Sequence, residues 1–196
     1  LSTMVGGDLY TINLEFFNQV FVYQYRKIKN KKFTYLDTKK ILKTKIKKNL
    51  IFILNSPNNP SGTVCKNLKE LATVAKKYNL LVLSDEIYTD LTFCNKYDSI
   101  SKFYPEGTFI SGGLSKWCGA GGWRLGFFAS PEGNKEFINA LKTLASESYS
   151  TVNSPVQYAA VEAYEGNYED YKSKTTNILK GVGNYVYCLL YTSDAA

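Results

Sequence analysis

The 196-residue sequence contains no histidine. That absence removes every Ser-His-Asp or Cys-His arrangement and every imidazole metal site from the chain. Chemistry here must run through Lys, Tyr, Asp, Ser or a bound cofactor. The four cysteines, Cys65, Cys94, Cys118 and Cys188, form no C-x-x-C pair and no zinc spacing. Scattered thiols fit a reducing compartment, so the chain reads as cytoplasmic, with organellar targeting ahead of Leu1 as the alternative. No apolar run approaches the roughly 20 residues of a membrane span, and no basic-then-apolar signal precedes a cleavage site. Arginine is scarce: the 24 Lys+Arg residues include only Arg26 and Arg124.

What is present is ordinary globular composition, 44% hydrophobic and 21% charged, at a length that suits one domain or part of a larger one. The net charge of +7 is uneven. Eleven basic residues lie between Arg26 and Lys48 against one acid, Asp37, which leaves the remainder of the chain slightly acidic. A basic stretch can mark nucleic-acid affinity. This one is nearly all Lys with no RNA-binding aromatic signature, and it reads as a solvated surface. Within it Ile41, Leu42 and Ile46 are spaced for a helix with one buried edge.

The ends read as unusual. Leu1–Gly7 (LSTMVGG) looks like the tail of a helix entering a turn, so an internal fragment is expected. Cys188–Ala196 (CLLYTSDAA) resembles the translated end of a sequencing-library adapter, which would place the last native residue near Tyr187. The plainer alternative is a frayed polar terminus.

Between the ends, strands and helices alternate. Leu50–Leu54 (LIFIL), Leu80–Ser84 (LLVLS), Thr108–Ser111 (TFIS) and Trp123–Ala129 (WRLGFFA) read as strands. Asn67 with Glu70 forms a capping-box pattern ahead of a helix over Asn67–Asn79. Glu132–Leu144, Pro155–Tyr164 and Tyr168–Tyr187 read as further helices. Apolar strands without alternation, bounded by helices, indicate an α/β three-layer sandwich with a mostly parallel sheet. The short link from Lys116 to Trp123 leaves little room for a crossover, so the fourth strand is expected to run antiparallel.

Open α/β sheets bind ligands at the carboxyl ends of their strands. Four polar clusters follow apolar strands here: Asn58-Asn59-Pro60-Ser61-Gly62, Ser84-Asp85-Glu86-Ile87-Tyr88, Gly112-Gly113-Leu114-Ser115-Lys116 and Trp123-Arg124-Leu125-Gly126. Singly, each has a plain reading: a turn, a helix cap, a solvated lysine, an ion-pair partner. Jointly they match the needs of pyridoxal phosphate. Its ring nitrogen requires a carboxylate, its ring oxygen requires neutral donors, its aldehyde carbon a lysine and its phosphate an arginine. In a chain whose default cation is Lys, Arg124 stands out for bidentate anion recognition.

The segments NSPNNPSGTV, LVLSDEIY and SGGLSKWCGAGGWRLG resemble the class I/II aminotransferases of the fold-type-I pyridoxal-phosphate enzymes, from about Gly6 to Tyr187. The resemblance implies that Lys116 links covalently to the cofactor and later shuttles a proton. It implies that Asp85 pairs with the ring nitrogen, that Tyr88 and Asn59 bond the ring oxygen, and that Arg124 and Ser115 lie by the phosphate. Many relatives carry a serine where this chain has Gly113, with Ser111 as the nearest other hydroxyl. The implied domains are a partial cofactor-binding large domain over 1–165, a helix toward a small domain over 166–187 and a non-native tail over 188–196. Amino-acid and 2-oxo-acid substrates and a homodimer are implied, with neither nucleic acid nor membrane as partner. The glycine-rich phosphate loop, the ring-stacking aromatic and the arginine for the substrate carboxylate would lie outside this sequence, so the fragment itself is expected to be inactive. A lyase of the same fold, cleaving C–S bonds or closing rings, and a non-catalytic homologue are the alternatives.

Overall fold

The computed structural model describes residues 10–14, 17–22, 27–29, 32–34, 50–93 and 97–192. A six-stranded sheet forms the frame, from β1 (Tyr10–Leu14), β2 (Phe17–Val22), β5 (Leu50–Asn55), β6 (Leu81–Asp85), β7 (Thr108–Gly113) and β8 (Gly126–Ala129), in the spatial order β1-β2-β5-β6-β7-β8. The four central strands are parallel, while β1 and β8 run antiparallel at the two edges. A separate antiparallel pair, β3 (Lys27–Lys29) and β4 (Lys32–Thr34), lies in the Lys-rich stretch. The helix expected around Ile41, Leu42 and Ile46 lies outside the described residues, as do Leu1–Gly7 and Cys94.

Helices lie on both faces. Helix α1 (Leu68–Lys77) turns Leu68, Leu71, Ala72, Val74 and Ala75 inward, against Phe52, Leu54, Val82 and Ile100. Leu54, Leu71, Val82 and Ile100 have at most 1% of their surface exposed. Full burial of such a side chain stabilises the fold by about 1.5–3 kcal/mol, so this cluster anchors β5 and β6. On the opposite face Phe137 of α2 (Lys135–Ser148) packs edge-on against Phe109 of β7, at 5.1 Å between ring centroids, and near Phe128 of β8 at 6.3 Å. Helices α3 (Ser154–Glu165) and α4 (Glu169–Thr192) follow, and Ala160 of α3 is buried together with Leu114 and Trp117. Much of their apolar surface remains open, Tyr158 at 79%, Leu190 at 71% and Ile178 at 67%. No helix among the described residues is long and apolar enough to cross a membrane.

Two local expectations need correction. The Asn67 side chain does not cap α1; its Oδ1 accepts from the Cys65 thiol at 3.3 Å. The fourth strand begins at Gly126 and not at Trp123, because Gly121–Trp123 winds into a 3₁₀ turn and Arg124 takes a left-handed backbone, φ +56°. A turn of that kind cannot hold a strand ladder.

Candidate active site

Parallel pairing aligns the carboxyl ends of three strands. Asn55 ends β5 opposite Asp85, which ends β6, and Asp85 is opposite Ser111 of β7. Directly paired residues share a sheet face. The three side chains therefore form one row, and they bond along it. Asn55 Nδ2 donates to Asp85 Oδ2 at 2.8 Å, and the Ser111 hydroxyl donates to Asp85 Oδ1 at 3.4 Å. The Ile87 backbone N–H also reaches Asp85 Oδ1, at 3.4 Å.

The turn after β5 is built around Asn58, which is buried. Its side-chain oxygen accepts from the Ser61 hydroxyl at 2.6 Å, and its own amide donates to Asn55 Oδ1 at 2.9 Å. Gly62 closes the turn with φ +64°, a conformation that costs glycine little. This arrangement leaves Asn59 exposed, with its backbone N–H on Asn55 Oδ1 at 3.1 Å and its side chain donating to the Tyr88 hydroxyl at 3.3 Å. An open cleft of about 470 Å³, lined by Pro57, Asn59, Tyr88, Leu91 and Phe93 among others, adjoins this pair.

Lys116 stands on the turn after β7, between the buried side chains of Leu114 and Trp117. Those two anchors fix the turn while the lysine itself stays exposed, its Nζ 5.3 Å from the centre of the Tyr88 ring. Separation of this order gives a cation–π attraction. Arg124 is exposed and folds back so that Nη1 donates to the Gly121 carbonyl at 2.9 Å. A Cβ on Gly121 would lie 3.5 Å from the Ser115 carbonyl, so the Ser115 and Arg124 segments meet at that glycine.

The structure thus joins Asn59, Tyr88 and Lys116 directly, ties Asp85 to them through Asn55, and groups Ser115 with Arg124. Asn55 is the residue that sequence reasoning passed over, although an Asn ending an apolar strand just ahead of a polar turn was a visible signal. Ser111, the nearest hydroxyl ahead of Gly113 in the sequence, is engaged with Asp85. Behind the row, Glu86 accepts from the hydroxyls of Ser84 and Ser99. Burial pushes its carboxyl above the ordinary range, opposed by those two hydrogen bonds. Tyr97 is pushed up in the same way, by burial first and by Glu86 second.

Comparison with known proteins settles the family. The model of the family "Aminotransferase class I and II" matches residues 12–185. The chain belongs to the class I and II aminotransferases. It is 42% identical to the aspartate aminotransferase of Geobacillus stearothermophilus over 123 residues, 60% of this chain and 30% of that protein. With the probable aspartate aminotransferase of Methanocaldococcus jannaschii it shares 35% identity over 67% of this chain and 36% of that one. Among solved structures, the aspartate aminotransferase of Thermotoga maritima superposes with a TM-score of 0.69 at 28% identity, covering 80% of this chain and 41% of that one. The alanine aminotransferase of Pyrococcus furiosus gives 0.67 at 30% identity, covering 77% and 39%. These likenesses place the sheet in the α/β architecture of the fold-type-I aminotransferases. The chain spans about a third of the length of the curated relatives it matches.

Proposed function

We propose that the chain is the cofactor-binding part of a pyridoxal-phosphate-dependent aminotransferase, which moves an amino group between an amino acid and a 2-oxo acid. The observation that carries this reading is the linked set at the carboxyl edge of the sheet, with Lys116 over Tyr88, Tyr88 on Asn59, and Asp85 reached through Asn55. The donor set fits the cofactor's polar atoms. A carboxylate with hydrogen bonds on both oxygens suits a protonated ring nitrogen, and a phenol and an amide that already touch suit one ring oxygen. Arg124 has five N–H donors in a fixed fork, and the Gly121 carbonyl takes one nitrogen, which leaves the rest for a phosphate beside Ser115.

When bound, the cofactor supplies a sink for the electron pair left at the substrate's α-carbon. The protein's share is position and proton traffic. Asp85 would hold a proton on the ring nitrogen, and Tyr88 and Asn59 would orient the ring through its oxygen. The free amine of Lys116 would take the proton from the substrate's α-carbon. Its anchors at Leu114 and Trp117 keep that amine within reach at little entropic cost.

The matched relatives are about twice as long as this chain, so the isolated chain is expected to be inactive and the complete gene product to turn over. The open apolar surface of α3 and α4 supports a larger assembly, a homodimer being the arrangement in keeping with the family. The thiols of Cys65 and Cys118, which form no disulfide among the described residues, are in keeping with a reducing, cytoplasmic setting.

The test is to express the complete gene with pyridoxal phosphate, reduce with borohydride and map the modified peptide by mass. A pyridoxyl group on Lys116, with turnover abolished in Lys116→Ala, is the expected result. An adduct elsewhere, or none on a folded protein, overturns the reading and leaves a family fold without its chemistry.

A further inference from the structure

We infer that Asn55 is the positioning residue of this site: it orients the Asp85 carboxylate and locks it to the Asn59 turn, so the two grips on one ring move as a unit. The inference rests on the reading of Asp85 and Asn59 as cofactor contacts. Its basis is the use of both ends of one amide. Asn55 Nδ2 gives its hydrogen bond to Asp85 Oδ2 at 2.8 Å, while Oδ1 accepts from Asn58 Nδ2 at 2.9 Å and from the Asn59 backbone N–H at 3.1 Å.

This pattern allows only one orientation of the amide. Turned over, it would set NH₂ against two N–H donors and its oxygen against a carboxylate, losing all three bonds. The bond to Asp85 is also the shortest that carboxylate receives, against 3.4 Å from Ser111 and 3.4 Å from Ile87. A bond to an ionised acceptor is the stronger kind. The carboxylate plane is therefore set from β5, and the two weaker contacts steady its other oxygen.

The second half of the inference is the coupling. The atom that receives Asn59's N–H belongs to the same planar amide that holds Asp85, and Asn59's side chain in turn reaches Tyr88. Any displacement of the turn is passed to Asp85 through a rigid group three atoms wide. A flexible or absent side chain at position 55 would let the two contacts drift independently, and a ring held by both would lose its fixed tilt.

A double-mutant cycle on the complete gene product tests this, with pyridoxal-phosphate affinity read by absorbance titration. Asn55→Ala is expected to weaken cofactor binding about tenfold or more, the scale of a lost hydrogen bond to a charged group. In the Asp85→Ala background the same change is expected to have a clearly smaller effect, only the share that passes through the Asn59 turn. Asn55→Asp keeps the acceptor for Asn58 and Asn59 but sets a second carboxylate oxygen against Asp85 in place of the donor, so it is expected to weaken binding at least as much as Asn55→Ala does. Equal effects of Asn55→Ala in both backgrounds would show a merely structural role and overturn the inference. So would an Asn55→Asp protein that binds like the parent. If Asp85→Ala alone leaves affinity unchanged, the assignment of Asp85 itself has failed, and that outcome is separate.

Discussion

Gly113 sits where many class I and II aminotransferases carry a serine, yet placing a serine there is expected to harm this protein. Gly113 of β7 pairs directly with Gly126 of β8. A Cβ on Gly113 would meet the Gly126 Cα and the Leu125 carbonyl oxygen, both at 2.9 Å and both backbone. Carbon atoms pack best near 3.5–4.0 Å, so β8 would have to back away by at least about half an ångström. A rotamer change cannot relieve contacts made by Cβ itself. The neighbouring pairs give no slack, because a Cβ on Gly126 would meet the Gly112 carbonyl at 2.9 Å and one on Gly112 would strike the Phe127 ring. Overpacking of this kind costs about 1–3 kcal/mol, roughly a 5- to 150-fold rise in local opening. Hydrogen exchange of peptides covering β7 and β8 in Gly113→Ser reads that directly, with loss of protection confined to those strands. Gly122→Ala is the control. Nothing lies within 4 Å of its added carbon, so protection should be unchanged. A Gly113→Ser protein with undisturbed exchange at β7 and β8 would refute the close-approach argument.

Two further perturbations probe the surroundings of the site. Lys172 of α4 pairs with Asp90 at 2.9 Å and lies 4.8 Å from the Trp117 ring centre, so it clamps the segments that follow Tyr88 and Lys116. Lys172→Met keeps the packing of the stem; a loss of about 1 kcal/mol is expected by denaturant melts, shrinking at high salt as the ion-pair share is screened, and no loss at low salt would disprove the clamp. Glu86 has its carboxyl raised by burial, so the folded state favours the protonated form. Its contribution to stability is present below the ordinary carboxylate range and is lost as pH rises through the raised value. Glu86→Gln cannot ionise, so its melting temperature relative to the parent should climb from acid toward neutral pH; a flat difference across that window would show that Glu86 carries no such cost.

The central strands were legible because burial on both faces leaves unbroken apolar runs, and LIFIL, LLVLS and TFIS all became β-strands within one or two residues of their expected ends. The expected antiparallel course of β8 followed from loop length alone. β1 and β2 were missed because polar residues interrupt them, as in Thr11 and Asn13 or Asn18 and Gln19, and their pairing comes from the fold and not from local pattern. The late start of β8 was hidden too, since the apolar Trp123 and Leu125 flank a left-handed Arg124 that no periodicity announces. At the site, residue types that are individually dull became informative through order and spacing. Asn55 escaped because its partner Asp85 is 30 residues away in sequence and meets it only through strand register.

That register also explains where the site draws its precision. Ile51 pairs with Leu81 and Ile53 with Leu83 along the same face that ends in Asn55 and Asp85. A slip of one residue between β5 and β6 would send Asn55 to the opposite face, away from Asp85, and would turn the apolar members of each strand the same wrong way. The packing of Phe52, Leu54 and Val82 against α1 forbids that slip, because those side chains would have to leave a cluster in which they are almost wholly buried. The juxtaposition of Asn55 and Asp85 is therefore set from the opposite face of the sheet, by the apolar side chains of Phe52, Leu54 and Val82. If Asp85 holds the cofactor as proposed, Leu54→Ala or Val82→Ala should loosen pyridoxal-phosphate binding, read by absorbance titration, in proportion to the stability each removes, with no change to any polar residue of the site.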